Sequence, residues 1–306
     1  CYQRRFRQPL QTHRGIWKVR EGIILRLKDE NGTEGWGEIA PLPDFGSETL
    51  SEALDCCQQL GRDLTKEAIA SIPGNRPACQ FGFESAATEI SARTADKPSN
   101  DTGPKHLLQQ FTYSYLLPAG EGVLRAWKPA WEKGGRTFKW KIGVRPVPEE
   151  LQLFSQLVRA LPAGAKLRLD ANGGLNFNSA QQWLKAADEV GMVEFIEQPL
   201  PPTEFALLLE LRDRAVTPLA LDESVATLPQ LEDCYARGWR GIFAIKAAIA
   251  GSPQRLREFC RNHPIDAVFS SVFETSVGRK AVLNLATELS NPNRALGFGV
   301  DRWFEY

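Results

Sequence analysis

Lys141, Asp170, Glu197, Asp222 and Lys246 each close a short apolar run, at successive intervals of 29, 27, 25 and 24 residues. An interval of that length holds one strand, one helix and two loops, the repeat of a parallel α/β fold. If the strands close into a barrel, their C-terminal ends converge on one mouth, and the five side chains meet there.

Short apolar strands are predicted at Thr112–Leu116, Thr137–Ile142, Lys166–Asp170, Val193–Glu197, Leu219–Asp222, Gly241–Lys246, Ala267–Ser271 and Ala295–Phe298. Helical periodicity fills the gaps, for example Pro148–Leu161, Ser179–Val190 and Gly278–Leu289. Eight strands with crossover helices point to a closed parallel barrel over residues 106–300. The alternative, an open doubly wound sheet, lacks its signature: no GxGxxG follows the first strand, and no phosphate loop occurs.

Residues 1–105 read differently. Gly22–Leu27 and Thr33–Ala40 flank Asn31-Gly32, a strong hairpin signal, and helical segments follow at Ser47–Leu60, near Lys66 and at Ala78–Ala92. This is an α+β domain. The breaker-rich stretch Arg93–Lys105 is its expected boundary, and the tail from about residue 300 is expected to return to it.

Lys plus Arg equals Asp plus Glu at 37 each, so no overall basic field recruits nucleic acid or an anionic membrane. The six cysteines form no CxxC pair and suit free thiols in a reducing compartment. With no long uncharged apolar segment and no signal-peptide pattern, the expected location is the cytoplasm. The chain opens at Cys1 rather than Met, which leaves room for native residues ahead of it. Oligomeric state is not encoded in any pattern here.

Side chains two apart on a strand share a face, so Lys139 and Lys141 point into the barrel and Trp140 points to the helix layer. Arg168 likewise accompanies Asp170. A single charge at a strand end is ordinarily the first exposed residue after a buried run. Five in succession, in the order base, acid, acid, acid, base, indicate a site. Three carboxylates without a nearby His or Cys favour a hard dication, Mg²⁺ before zinc, with Mn²⁺ as a substitute. Such a cation would acidify the α-proton of a small-molecule carboxylate, and a lysine freed of its proton by neighbouring positive charge, Lys139 and the cation, could remove it. Glu223 is expected to point away from the cluster unless the chain turns it inward as it leaves the strand. The tryptophans read as packing residues, and His106 and His263 as surface residues.

The runs Lys139-Trp140-Lys141, Asp170-Ala171-Asn172, Glu197-Gln198-Pro199-Leu200, Leu221-Asp222-Glu223-Ser224 and Ile245-Lys246 resemble the enolase superfamily in its muconate lactonizing branch. That family's use of a Lys base with Mg²⁺ and an ene-diolate is a known pattern. The resemblance implies a modified TIM barrel of (β/α)7β form whose mouth is covered by the N-terminal α+β domain, with Gly35-Trp36-Gly37-Glu38-Ile39-Ala40-Pro41-Leu42-Pro43 as a capping loop beside the substrate. Ser270-Ser271-Val272-Phe273-Glu274-Thr275-Ser276 and Gly297-Phe298-Gly299 further resemble the o-succinylbenzoate synthase family of quinone biosynthesis. Syn dehydration is thereby implied, with Lys141 as base, Lys246 as electrostatic partner and Asp170, Glu197 and Asp222 as metal ligands. Lys139, Arg168, Asn172, Ser270, Ser271, Gly297 and Gly299 are expected to contact substrate, and His13 falls where the family has a mobile capping loop. Ala247 stands where the family often has proline, and Phe273 replaces a smaller residue. The alternative activity is an N-acylamino acid racemase or dipeptide epimerase using the same two lysines. The Asp-x-Asp of dipeptide epimerases is missing from Ser270–Phe273.

Overall fold

The computed structural model describes residues 1–12, 15–94, 111–300 and 303–304. His13, His106 and the part of the expected linker beyond Thr94 lie outside them.

The first unit is an antiparallel sheet of β1 (Tyr2–Thr12), β2 (Gly15–Lys28) and β3 (Glu34–Ile39), in that order, followed by α1 (Leu50–Leu60), α2 (Lys66–Ala70) and α3 (Pro77–Thr94). The Asn31-Gly32 turn forms as expected: the Asp29 carboxylate accepts from the amides of Asn31 and Thr33, and Gly32 takes φ +88°. β1 was not anticipated from the sequence. Its register against β2 shifts between Arg5 and Leu10, so the strict alternation that marks a strand is broken. The glycines of Gly35-Trp36-Gly37 have a packing reason: a Cβ on Gly37 would lie 2.0 Å from the Gly82 carbonyl oxygen, so α3 can rest on β3 only if this residue is glycine.

The second unit contains eight strands, β4 (Tyr113–Leu117), β5 (Thr137–Lys141), β6 (Lys166–Asp170), β7 (Val193–Glu197), β8 (Leu219–Leu221), β9 (Ile242–Ile245), β10 (Asp266–Phe269) and β11 (Leu296–Gly299). Their order is β10-β9-β8-β7-β6-β5-β4-β11, every pair is parallel, and a parallel bridge from Ser270 to Gly297 joins the two ends. Helices cross back after each of the first seven strands: α4 (Val123–Ala126) and α5 (Lys128–Glu132), then α6 (Val147–Ala160), α7 (Phe177–Val190), α8 (Phe205–Arg214), α9 (Leu228–Ala236), α10 (Ala247–Ala250) with α11 (Pro253–Asn262), and α12 (Ser276–Leu289). This is the (β/α)7β barrel with an α+β domain at its mouth.

Alternation sorts the side chains into two layers. Trp140 of β5 faces the helices and meets Trp183 of α7 edge to face at 5.9 Å, and Trp183 in turn meets Phe154 of α6 at 5.5 Å. A buried aromatic of this size is worth roughly 3–5 kcal/mol against alanine. Phe195, Ala220, Ile242 and Val268 form a separate cluster on the other face. At the far end of the chain, Phe304 bridges to Phe6 of β1 and stacks on it at 4.8 Å, while Phe273 meets both rings edge-on. Chain end, N-terminal sheet and barrel loop thus share one apolar cluster.

Candidate active site

Parallel register aligns the strand ends: Lys141 pairs with Asp170, and Asp170 with Glu197. Asp222 and Lys246 each follow the last residue of their strands. One carboxylate oxygen from each of Asp170, Glu197 and Asp222 lies within 4.8 Å of the others, and all three residues are buried. Around them stand the three lysines. Lys139 Nζ donates to Glu197 Oε1 at 2.6 Å and is 2.7 Å from Asp170 Oδ2. Lys141 Nζ donates to Asp170 Oδ2 at 2.7 Å and to Asn172 Oδ1 at 2.6 Å. Lys246 pairs with Asp222, and its ammonium lies 4.4 Å above the Phe45 ring centre.

Crowding of like and unlike charges sets the proton affinities. Burial opposes the charge of Lys139, yet Asp170, Glu197 and Asp222 outweigh it and hold the lysine above its ordinary pKa. Burial would raise Asp170, but Lys139 and Lys141 hold it below the usual carboxylate range. Burial, reinforced by the charge on Asp170, pushes Glu197 up to about 7, and burial raises Asp222. Two carboxylates that gain from a further positive neighbour, beside a third that is already ionised, are a fitting donor set for a hard dication.

Loop geometry behind the charges is specific. Asn172 and Gln198, the second residue after Asp170 and the first after Glu197, adopt φ +48° and +39°, a region that side chains other than glycine enter at a cost of about 1–2 kcal/mol. Gln198 uses that turn to brace Asp222: its Oε1 accepts from the amides of Asp222 and Ser224 at 3.0 Å each, and its Nε2 donates to Ser224 Oγ and the Leu200 carbonyl. Glu223 turns inward as the chain leaves β8, accepting from Asn172 Nδ2 at 2.9 Å, so Glu223, Asn172 and Lys141 form one chain of contacts.

A cavity open to solvent at its mouth adjoins the cluster. Lys139, Lys141, Asn172, Asp222, Lys246, Ser270, Ser271 and Gly297 line it, together with Ser114 and an apolar wall that includes Leu10, Trp17, Leu42, Phe45, Leu116 and Phe273. Trp17 packs edge-on against Phe45 and Phe273, as a packing residue should, and also lines the cavity. Two expectations are corrected. Arg168 does not reach the cavity: its guanidinium pairs with Glu194 at 2.7 Å and covers the Phe195 ring, whereas Lys139, its register partner one strand over, extends the other way to Glu197 and Asp170. Gly299 packs instead of lining, since a Cβ there would lie 2.5 Å from the Ser114 carbonyl oxygen. The Ser271 hydroxyl is held by Glu274. His263 is half-buried between Tyr235 and Phe259 instead of lying free on the surface.

The bracing by Gln198 and the apolar wall were missed. Gln198 stood in a recognised run, but nothing in a sequence announces its left-handed backbone. Among the described residues no helix is long and apolar enough to cross a membrane, and the six cysteines are unpaired.

A family described as enolase C-terminal domain-like matches residues 123–304, and one described as MenC, N-terminal domain, matches residues 5–90. An o-succinylbenzoate synthase of Thermosynechococcus vestitus is 42% identical over 306 residues, covering 99% of this chain and 91% of that protein. The crystal structure of the o-succinylbenzoate synthase from Thermosynechococcus elongatus BP-1, complexed with Mg in its active site, matches with a TM-score of 0.88 and 42% identity over 99% of this chain and 92% of that one. An N-succinylamino acid racemase of Thermus thermophilus is 28% identical, over 90% of this chain and 78% of that protein.

Proposed function

This chain belongs to the enolase superfamily, in its o-succinylbenzoate synthase family, and from that membership we infer its reaction: the Mg²⁺-dependent syn dehydration of 2-succinyl-6-hydroxy-2,4-cyclohexadiene-1-carboxylate to o-succinylbenzoate. The product feeds menaquinone or phylloquinone biosynthesis. One observation carries the reading: a chain alike along its whole length to such an enzyme brings two lysines and three buried carboxylates to one cavity.

Asp170, Glu197 and Asp222 would hold the cation, and the all-oxygen donor set suits Mg²⁺, with Mn²⁺ as a substitute. Bound there, the dication supplies charge that stabilises the anion developing on the substrate carboxylate as its α-proton leaves. Lys141 Nζ, aimed by Asp170 and Asn172, takes that proton and returns it to the departing hydroxyl, so the C–H bond, the C–O bond and the new ring double bond balance as loss of one water. Lys246, held by Asp222 and the Phe45 face, presents a fixed positive charge to the carboxylate. Three carboxylates, one dication and the charges of Lys139 and Lys246 leave the surroundings of the base net positive by one, which suits an anionic substrate. Unpaired thiols in every position fit a reducing cytoplasm.

The direct test is turnover. With saturating Mg²⁺, the protein converts the hydroxycyclohexadiene carboxylate to o-succinylbenzoate, read by mass and absorbance; no product would refute the assignment. A second reading, racemisation of N-succinylamino acids, is favoured by the two lysines flanking one cavity and by the racemase relative. Deuterium exchange in heavy water measures it. Dehydration is expected to exceed racemisation, and equal rates would end the claim of a single activity.

Metal binding is expected to depend on pH. Without the ion Glu197 is raised to about 7, so below that pH the cation must displace a proton. Apparent Mg²⁺ affinity then falls about tenfold per pH unit, with about one proton released. Calorimetry in buffers of different ionisation heat reads both quantities, and a flat affinity from about pH 8 to 5.5 would remove Glu197 from the ligand set.

A further inference from the structure

Arg20, on β2, lies outside the cavity and is only 4% exposed, and no step of the reaction uses it. Its guanidinium nevertheless joins three stretches of backbone. Nε donates to the Val272 carbonyl at 2.8 Å, Nη1 donates to those of Glu21 and Pro41 at 2.8 Å each, and Nη2 donates to that of Ala40. Val272 belongs to the loop between β10 and α12, which contributes Ser270 to Phe273 to one wall of the cavity. Ala40 and Pro41 lead into Leu42 and Phe45, which build another, with Phe45 lying over the ammonium of Lys246. Each wall comes from a different unit of the fold, and one side chain holds both.

The barrel loop needs an external hold. Phe273 sits at φ +62°, a conformation an unsupported phenylalanine would leave. Supports converge from the N-terminal sheet: Arg4 donates to the Glu274 carbonyl at 3.2 Å, and the Glu38 carboxylate accepts from the amides of Thr275 and Gly278. Of these, Arg20 alone also grips the Ala40-Pro41 segment. Its planar fork of five donors suits that task, whereas a lysine ammonium radiates from a single nitrogen.

We propose that Arg20 is a positioning residue that fixes the spacing between the Leu42–Phe45 and Ser270–Phe273 walls and so sets how tightly the cavity grips the substrate ring. The inference rests on the dehydration reading of the site. In the full chain with Mg²⁺, R20K is expected to raise KM roughly tenfold or more while kcat stays within about threefold, the pattern of lost uniform binding. Mg²⁺ affinity stays unchanged, and R20M behaves like R20K or worse. Hydrogen exchange in R20K rises together in peptides covering 40–46 and 270–275. In the wild type, Mg²⁺ with o-succinylbenzoate protects those two segments together, a measurement that stands even where a variant fails to fold. An unchanged KM in R20K, a fall in kcat and Mg²⁺ affinity in step with the rise in KM, or a response confined to one segment overturns the proposal. Failure of the wild type to form o-succinylbenzoate instead refutes the reaction, and the exchange pattern of R20K, which needs no turnover, still decides the clamp.

Discussion

Lys141→Ala is expected to lower dehydration by at least about a hundredfold, toward about ten-thousandfold, the usual range for a positioned acid–base group. The loss should lie in the chemical step. Asp170 keeps Lys139 at 2.7 Å, so the carboxylate trio retains a counter-charge and Mg²⁺ affinity should change little. Asn172 Oδ1 loses the donor at 2.6 Å, a cost of about 1–3 kcal/mol that a chain of this size tolerates. Lys141→Arg sharpens the test, because a guanidinium keeps the charge yet does not give up its proton near neutrality. Both variants should bind substrate and metal and turn over poorly. Retained turnover in either would remove Lys141 as the base.

Asp222→Asn is expected to cost at least about a hundredfold in Mg²⁺ affinity, and activity with it. Asparagine preserves shape, and the backbone amide that Gln198 Oε1 anchors is untouched, so the change is one of charge. Two unit charges about 4 Å apart are worth roughly 4 kcal/mol at an effective dielectric of 20, and a dication doubles the attraction before desolvation offsets part of it. Lys246 would also lose its ion pair and keep a neutral amide acceptor and the Phe45 face. Calorimetric titration of both proteins decides the matter: equal Mg²⁺ binding would exclude Asp222 as a ligand.

Strands and charges were legible because one rule governs both. A buried parallel strand reads as a short apolar run, and where it ends at the barrel mouth the first polar residue is the functional one; Lys166–Asp170 and Val193–Glu197 run as read, residue for residue. Direction was harder. Arg168 and Lys139 are register partners on the inward face, yet Lys139 extends to the carboxylates at the mouth and Arg168 turns to Glu194, a choice of direction that facing inward did not reveal. Torsion was illegible. The left-handed backbone of Gln198 and Phe273 depends on what surrounds them, and Gln198's bracing of Asp222 follows from that torsion. The apolar wall arises from residues far apart in the chain, Leu10, Trp17, Phe45 and Phe273, that only docking of the two units brings together. β1 escaped notice because its irregular register erased the alternation that announces a strand.

Each acid of the trio is matched by an amine from within the chain, Lys139 and Lys141 on Asp170, Lys139 on Glu197 and Lys246 on Asp222. The barrel rim therefore carries its own counter-ions. Proteins that fold around a structural metal come apart when it is stripped away, because the ion is their cement. Here a chelator would silence the protein and leave its architecture standing, and magnesium could come and go as a guest by exchanging partners with residents already in place.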